Sequence, residues 1–285
     1  MVNRRTRSTR NRPRADAARR LALAIGLALP VAGQQLTFHP VTQEIVLSRL
    51  HQAARDNGVR EQTLRKLFEQ AGCAPGQLEE QPVKHLRIPN VICTLPGVTD
   101  SRILVSAHTD HVKAGDGTVD DWSGAALLAS LLESLRETPR RHTFVFIGFS
   151  GEEEGLVGSR FYVKDIRSAQ PARIGALVNI ECLGLSPSAI WLSRADPQLA
   201  AFARQASASL HLPLRATNVD QVGEDDAMSF APLHIRGITF HSVTQETLSV
   251  LHSDRDTAWA IRAGDYYDSY RLLAAFLALI DTSLD

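Results

Sequence analysis

The sequence predicts an α/β protein with a mixed, mostly parallel central sheet that is covered by helices on both faces. The first observation is a set of short, almost wholly apolar runs: RILVSAH at 102–108, TFVFIGFS at 143–150 and ARIGALVNIE at 172–181. Strands that are buried on both faces have this composition. The second observation is that helical patterns separate these runs, and strands that alternate with helices favour a parallel sheet.

The predicted elements follow one another in a regular order along the chain. Residues 41–72 carry two amphipathic helical patterns, and VKHLRIPNVICTLPG at 83–97 is typical of a bent strand or a hairpin interrupted at Pro89. Two further strands are predicted at 189–193 and 237–243. The remaining helices are predicted at 122–137, 154–166, 196–210 and 264–281.

Length and charge limit the domain organisation and the class of partner. With 285 residues, of which 44% are hydrophobic, the chain is long enough for one sizeable core, so a single domain is predicted over 34–285. Residues 1–33 hold eight arginines against one acid, Asp16, and the rest of the chain has more acidic than basic residues. An acidic body argues against a nucleic-acid partner.

Residues 1–33 have the three-part layout of a secretory signal, with an arginine-rich lead, an apolar run and small residues before a polar stretch. The apolar run is shorter than the roughly 20 residues of a transmembrane helix, so no stable membrane insertion is expected. The layout predicts export to the periplasm or the medium; the alternative is a basic tail on a cytoplasmic protein. Cys73 and Cys93 would be able to pair after export, whereas Cys182 is predicted to be a small core residue.

Acidic residues and histidines follow the predicted strands at their carboxyl ends. The three apolar runs end in AHTDH, GEEEG and NIECLG, and LHSDRD lies in a loop after the last strand. GTVDDWSG adds two acids between the first run and the second. Because ligands of open α/β sheets bind beyond the carboxyl ends of the strands, we expect these side chains to meet at one rim of the sheet.

Several carboxylates at one rim need a positive partner, and a pair of divalent metal ions would supply it. Zinc accepts histidine nitrogen and carboxylate oxygen together, and one carboxylate is able to bridge two ions held about 3.5–4 Å apart. Two histidines and three carboxylates form a suitable set of ligands. One more carboxylate, close to the ions but not bound to them, would serve as a general base.

The motifs AHTDHV, GTVDDWSGAALL, GEEEGLVGSRFY, NIECLG and LHSDRDT resemble, in order and separation, those of the M28 family of zinc metallopeptidases. The resemblance covers roughly residues 85–280. It implies a zinc exopeptidase-like fold, a site with two zinc ions per chain, and a peptide or small aminoacyl substrate. The activity it favours is that of an aminopeptidase that hydrolyses terminal peptide bonds.

The resemblance also assigns a role to each matching residue. The implied metal ligands are His108, Asp120, Glu153, Glu181 and His252, with Asp120 as the bridging carboxylate. Glu152 is the implied general base. Asp110, two residues after the first histidine, is expected to hold the free ring nitrogen of that ligand. Asp256 is given a similar supporting role for the loop that bears His252.

The sequence departs from the family pattern in three places. Asp121 stands where the family usually has Asn, is followed by a bulky Trp122, and is expected only to shape a turn. Glu181 replaces a commoner Asp, and since Glu here is familiar from related carboxypeptidases, the direction of cleavage stays open. GEDDAMSF keeps the family's acid at Asp226 but has Ala227 where a histidine is usual.

Three alternative functions are related to this pattern of residues. A glutaminyl cyclase uses a similar frame with one catalytic zinc. A related carboxypeptidase family with an inserted dimerisation domain is disfavoured, because only 71 positions separate Glu181 from His252. A vestigial, non-catalytic metal-binding module is disfavoured as well, because no implied ligand is missing from the sequence.

Overall fold

The computed structural model describes residues 29–31, 34–36, 38–168, 173–220 and 223–285. Apart from 29–31, the predicted export segment over 1–33 lies outside the described residues. In the described part of the chain, no helix has the length and apolar character that a membrane span requires.

Eight strands of the described chain form one mixed sheet, and a separate antiparallel pair, β1 (Leu29–Val31) and β2 (Gln34–Leu36), precedes it. The sheet strands are β3 (Leu78–Gln81), β4 (Asn90–Leu95), β5 (Arg102–His108), β6 (Thr143–Phe149), β7 (Ile174–Ile180), β8 (Ala189–Ile190), β9 (Arg215–Ala216) and β10 (Gly237–His241). Their spatial order is β3-β4-β6-β5-β7-β10-β8-β9. The central strands β6, β5, β7 and β10 are parallel, and β3 and β4 are antiparallel at one edge.

Helices pack on both faces of this sheet, as predicted. The described α-helices are α1 (Gln43–Leu50), α2 (Asn57–Gln70), α3 (Ser123–Leu135), α4 (Val157–Ser168), α5 (Pro197–Leu210) and α6 (Ala263–Ser283). Residues of α1, α2, α3, α5 and α6 share one hydrophobic cluster. A second cluster on the other face includes residues of α4 and of a short 3-10 helix, Asp226–Leu233.

Alternate residues of one strand show why the central runs are apolar throughout. Ile103 and Val105 of β5 pack in the first cluster, whereas Leu104 packs in the second. Successive side chains of a strand point to opposite faces, so a strand that is covered on both faces needs apolar residues at every position. The fold class predicted from these runs is confirmed.

Three element boundaries differ from the sequence prediction. The segment predicted over 83–97 contributes a strand only at β4, whose partner β3 was not predicted because its sequence, LEEQ, is polar and half exposed at the sheet edge. The helix predicted from residue 154 begins at Val157, because the amides of Gly155 and Leu156 bond the Glu152 carbonyl in a turn. The strand predicted at 189–193 ends after β8.

A disulfide joins α2 to the sheet. Cys73 lies just after α2 and pairs with Cys93 of β4, across a sequence separation of 20 residues. Cys182 is a buried free thiol, as its place in an apolar segment predicted.

Candidate metal centre

The carboxyl ends of three adjacent parallel strands bring the predicted site residues to one rim of the sheet. His108 is the last residue of β5, Glu152 follows β6, and Glu181 follows β7 directly. The remaining members come from the segment before α3 and from the loop after β10. One cavity of about 580 Å³ is lined by His108, Asp120, Glu152, Glu153, Glu181 and His252 together.

The first set of donor atoms belongs to His108, Asp120 and Glu181. His108 Nε2 lies 3.1 Å from Asp120 Oδ1 and 3.6 Å from Glu181 Oε2. The His108 side chain is 1% exposed, so this set lies at the closed end of the cavity. The other oxygen of Glu181, Oε1, accepts a hydrogen bond from Asn179 Nδ2 at 3.0 Å, which orients the carboxylate.

The second set of donor atoms belongs to Asp120, Glu153 and His252. His252 Nε2 lies 3.2 Å from Asp120 Oδ2 and 3.1 Å from Glu153 Oε1. The His252 side chain is 56% exposed, so this set lies at the mouth. Asp120 thus presents one oxygen to each histidine, which is the arrangement that a bridging carboxylate requires.

These separations fit zinc. Bonds of about 2.0–2.1 Å to nitrogen and oxygen in a tetrahedral site place neighbouring ligand atoms about 3.3 Å apart. The four nitrogen–oxygen separations within the two sets run from 3.1 to 3.6 Å, and within each set all three donor atoms lie within 4.8 Å of one another. Glu152 lines the same cavity but belongs to neither set.

The electrostatics of the site favour positive charge. Hydrogen bonds to Asp120 and Glu153 raise the pKa of His252 to about 10. Burial raises the pKa of Glu152 to about 9, an effect that the nearby His108 opposes and that the carboxylate of Glu181 reinforces. Crowded carboxylates therefore attract a cation, whether it is a proton or a metal ion.

Asp110 supports the site differently from the prediction. The His108 ring nitrogen Nδ1 bonds the backbone carbonyl of Asp110 at 3.0 Å, while the Asp110 carboxylate oxygen is 3.8 Å away. That carboxylate instead accepts the backbone amides of Glu152 and Glu153, each at 3.1 Å. Asp110 therefore orients the histidine through its main chain and fixes the two glutamates through its side chain.

Asp256 also differs from its expected role. Its two oxygens accept the amides of Val119 at 2.6 Å and Asp120 at 3.2 Å. The carboxylate therefore anchors the backbone at Val119 and Asp120 rather than the loop that bears His252.

Asp121 does more than shape a turn. Its Oδ1 accepts the amides of Gly124 and Cys182, both at 3.0 Å, and its Oδ2 faces the amide of His108 at 3.4 Å. A Cβ on Gly124 would lie 2.5 Å from Oδ2, so only glycine allows this approach. Asp121 thereby joins the start of α3 to the ends of β5 and β7, a role that no local pattern indicates.

The rest of the cavity has an apolar wall and an acidic one. The apolar wall consists of Trp191, Val243, Leu248 and Leu251. The acidic wall consists of Glu224 and Asp225, which belong to neither donor set. Asp226, aligned with the family's acid, is fully buried beside this wall, and burial raises its pKa to about 8. Among the described residues that line the cavity there is no lysine or arginine.

Solved structures share this architecture. LapA aminopeptidase of Legionella pneumophila matches with a TM-score of 0.72 and 18% identity, over 85% of this chain and 72% of that one. BSAP, a zinc aminopeptidase from Bacillus subtilis, matches with a TM-score of 0.60 and 22% identity, over 69% of this chain and 50% of that one. A glutaminyl cyclase of an Acidobacteriales bacterium matches with a TM-score of 0.70 and 18% identity, over 89% of this chain and 98% of that one. The fold is therefore that of the zinc exopeptidases and of the cyclases that share their frame.

Sequence comparison identifies the family. The family model described as "Peptidase family M28" matches residues 90–277. Leupeptin-inactivating enzyme 1 of Streptomyces exfoliatus is 30% identical over 152 residues, which are 52% of this chain and 34% of that enzyme. The chain belongs to peptidase family M28, and it spans well under two thirds of the length of the curated relatives it matches.

Proposed function

We propose that the protein is a zinc-dependent exopeptidase, an aminopeptidase, with two zinc ions and a glutamate general base. The observation that carries the proposal is the pair of donor sets that share Asp120, with one oxygen directed to His108 and the other to His252. The nitrogen and oxygen donors and their separations suit zinc. Membership of family M28 and the similarity to BSAP, a zinc aminopeptidase, support the same reading.

His108, Asp120 and Glu181 would hold one zinc ion, and Asp120, Glu153 and His252 the other. When bound, the two ions would polarise the scissile carbonyl and increase the acidity of the attacking water. Glu152 lines the same cavity outside both sets, so it would not be a ligand. Two bound cations would favour its ionised form, and the carboxylate would then take the proton from that water and pass it to the leaving amine. Asp110 keeps this carboxylate in place through the amide of Glu152.

The charge of the cavity supports cleavage at an amino terminus. A carboxypeptidase needs a cationic group for the terminal carboxylate of its substrate, and the described lining contains no lysine or arginine. Glu224 and Asp225 line the cavity outside both donor sets, so metal binding would leave acidic side chains on its wall. Acidic side chains on the wall suit a terminal ammonium group better than a terminal carboxylate.

Export is part of the proposal. Disulfides form and persist in oxidising compartments, and Cys73 pairs with Cys93. The signal-like layout of residues 1–33, which lies largely outside the described residues, points the same way.

The proposed base is tested with Glu152→Gln. We expect kcat on aminoacyl chromogenic substrates to fall by about 10²- to 10⁴-fold, because general acid–base catalysis contributes this much, while the zinc content of the purified protein stays the same. Glu154→Gln is the matched control, since Glu154 is exposed in the same turn and lines no part of the cavity. Full activity of Glu152→Gln would refute the assignment.

Zinc content and activity on aminoacyl substrates, together with an assay for pyroglutamate formation, distinguish an aminopeptidase from a glutaminyl cyclase. A wild-type protein that binds one zinc ion, leaves aminoacyl substrates intact and converts an amino-terminal glutamine to pyroglutamate would be a glutaminyl cyclase. Release of carboxy-terminal residues without cleavage of aminoacyl substrates would reverse the proposed direction.

A further inference from the structure

Arg60 is a buried cation beside the candidate metal centre, although it lies on α2, which carries none of the donor atoms. It is 0% exposed and is among the largest fully buried side chains of the described chain. Removing a guanidinium from water is costly unless its charge and its N–H groups find partners. Its contacts therefore show what this burial achieves.

The Arg60 guanidinium donates hydrogen bonds to backbone carbonyls at both ends of one loop. Its Nε donates to the carbonyl of Thr109. Its Nη1 donates to the carbonyl of Asp116 at 3.1 Å, and its Nη2 donates to that of Gly117 at 3.0 Å. A single planar group thus holds together the two ends of the loop over 109–117, which connects β5 to the segment before α3.

Both ends of this loop adjoin candidate ligands. Thr109 directly follows His108, and Gly117 precedes Asp120 by three residues. Two atoms of the first donor set, His108 Nε2 and Asp120 Oδ1, lie 3.1 Å apart. Because zinc bonds of about 2.0–2.1 Å tolerate little error, relaxation of the loop ends would change the separation on which metal binding depends.

The Arg60 charge lies among carboxylates and against an aromatic ring. Burial lowers the pKa of Arg60 to about 10, and Asp110 and Asp121 oppose that change, so the side chain is protonated at neutral pH. Its Cζ lies 5.3 Å from the centre of the Trp122 ring, where the face of the ring attracts a cation. Trp122 itself is fully buried, two residues after Asp120.

We propose that Arg60 is a positioning residue of the candidate metal centre, which fixes the loop over 109–117 so that His108 and Asp120 keep the separation of ligands of one metal ion. The inference rests on the proposed function for the identity of that metal. Lysine would restore the charge but not the geometry, because an ammonium group lacks the planar fork that reaches four backbone carbonyls at once, those of Ala54, Thr109, Asp116 and Gly117.

The test compares Arg60→Met and Arg60→Lys with Arg49→Met. Arg49 is a second buried arginine, 6% exposed, and its side chain bonds Ser130 and Glu133 of α3, away from the loop. Zinc dissociation constants are measured without substrate, by competition with a chromophoric chelator, together with the thermal stability of each zinc-free protein. Hydrogen exchange of the backbone amides over 109–117 gives a readout without metal.

For Arg60→Met we expect zinc affinity to fall by about 10- to 100-fold, the usual effect of losing a group that orients metal ligands. Exchange over 109–117 should accelerate, and Arg60→Lys should restore only part of the affinity. Arg49→Met should lose thermal stability while it keeps the wild-type zinc dissociation constant and the wild-type exchange over 109–117.

Two results would overturn the inference: wild-type zinc affinity in a folded Arg60 variant, or an equal loss of affinity in Arg49→Met. If Arg60→Met fails to fold, Arg60→Lys decides, because unchanged affinity there refutes the role. A wild-type protein that binds zinc but cleaves no peptide would refute the proposed function and leave the comparison of the arginine variants valid.

Discussion

His241 shows how burial sets the chemistry of a single side chain at the edge of the cavity. Its Nδ1 accepts the amide of Val243 at 3.2 Å, and its Nε2 faces the carbonyl of Thr217 at 3.4 Å. One nitrogen accepts and the other donates, which is the pattern of a neutral imidazole. Burial lowers the pKa of His241 to about 4, so this histidine lines the cavity without charge.

This low pKa predicts a pH dependence of stability. Between the unfolded pKa of about 6.5 and the folded value, the unfolded chain binds the additional proton, so the free energy of unfolding falls as the pH is lowered from about 6.5 toward 4. The fall in the pKa of His241 from about 6.5 to about 4 corresponds to at most about 3 kcal/mol in the free energy of unfolding. We expect His241→Gln, which does not titrate, to lose less stability than the wild type over this range.

Urea unfolding of the zinc-free proteins at several pH values between about 4.5 and 7 measures this difference. His234→Gln is the matched control for the substitution itself, since His234 is exposed and lines no part of the cavity. Parallel profiles for His241→Gln and the wild type would contradict the role assigned to His241.

At the scale of elements, α2 connects the sheet edge to the candidate metal centre. Cys73 at its carboxyl end is bonded to Cys93 of β4, and Arg60 in its first half bonds the loop that follows β5. The helix is therefore held at both ends by partners distant in sequence. The pairing of Cys73 with Cys93 was foreseen as an option from the sequence, whereas the bonds of Arg60 became visible only in the folded structure.

The disulfide is expected to contribute to stability through this connection. In the chain-entropy model, closing a loop of 20 residues stabilises the folded state by about 3 kcal/mol. We expect Cys73→Ser/Cys93→Ser to lower the free energy of unfolding by about this amount relative to the oxidised wild type, measured by denaturant titration. Reductant should have the same effect on the wild type and none on the variant. Equal stability of the variant and the oxidised wild type would contradict this expectation.

Across the whole molecule, the parts that were predictable from sequence are those with a local signal. β5, β6 and β7 were placed within a few residues because burial on both faces imposes unbroken apolar runs, and their carboxyl ends located the rim. β3 and β9 were missed because β3 is a polar edge strand and β9 has only two exposed residues. Two features stay predictions: the limits of the domain at 34–285, and the role of residues 1–33 as an export signal.

The candidate site divides in the same way. The five implied ligands and Glu152 adjoin recognisable motifs, and the structure places all six on one cavity. The supporting contacts of Asp110, Asp121 and Asp256 were missed or assigned differently, because they are made to backbone amides whose positions no sequence pattern reveals. Arg60 lies 49 positions from the carbonyl it bonds at Thr109, and nothing in its helix marks it.

Anomalous scattering at the zinc absorption edge, measured on crystals of the zinc-supplemented protein, shows whether two metal ions share Asp120. We expect two zinc peaks about 3.5–4 Å apart, one among His108, Asp120 and Glu181 and the other among Asp120, Glu153 and His252. A single peak with Asp120 bound to one ion only, or zinc held by other residues, would contradict this arrangement.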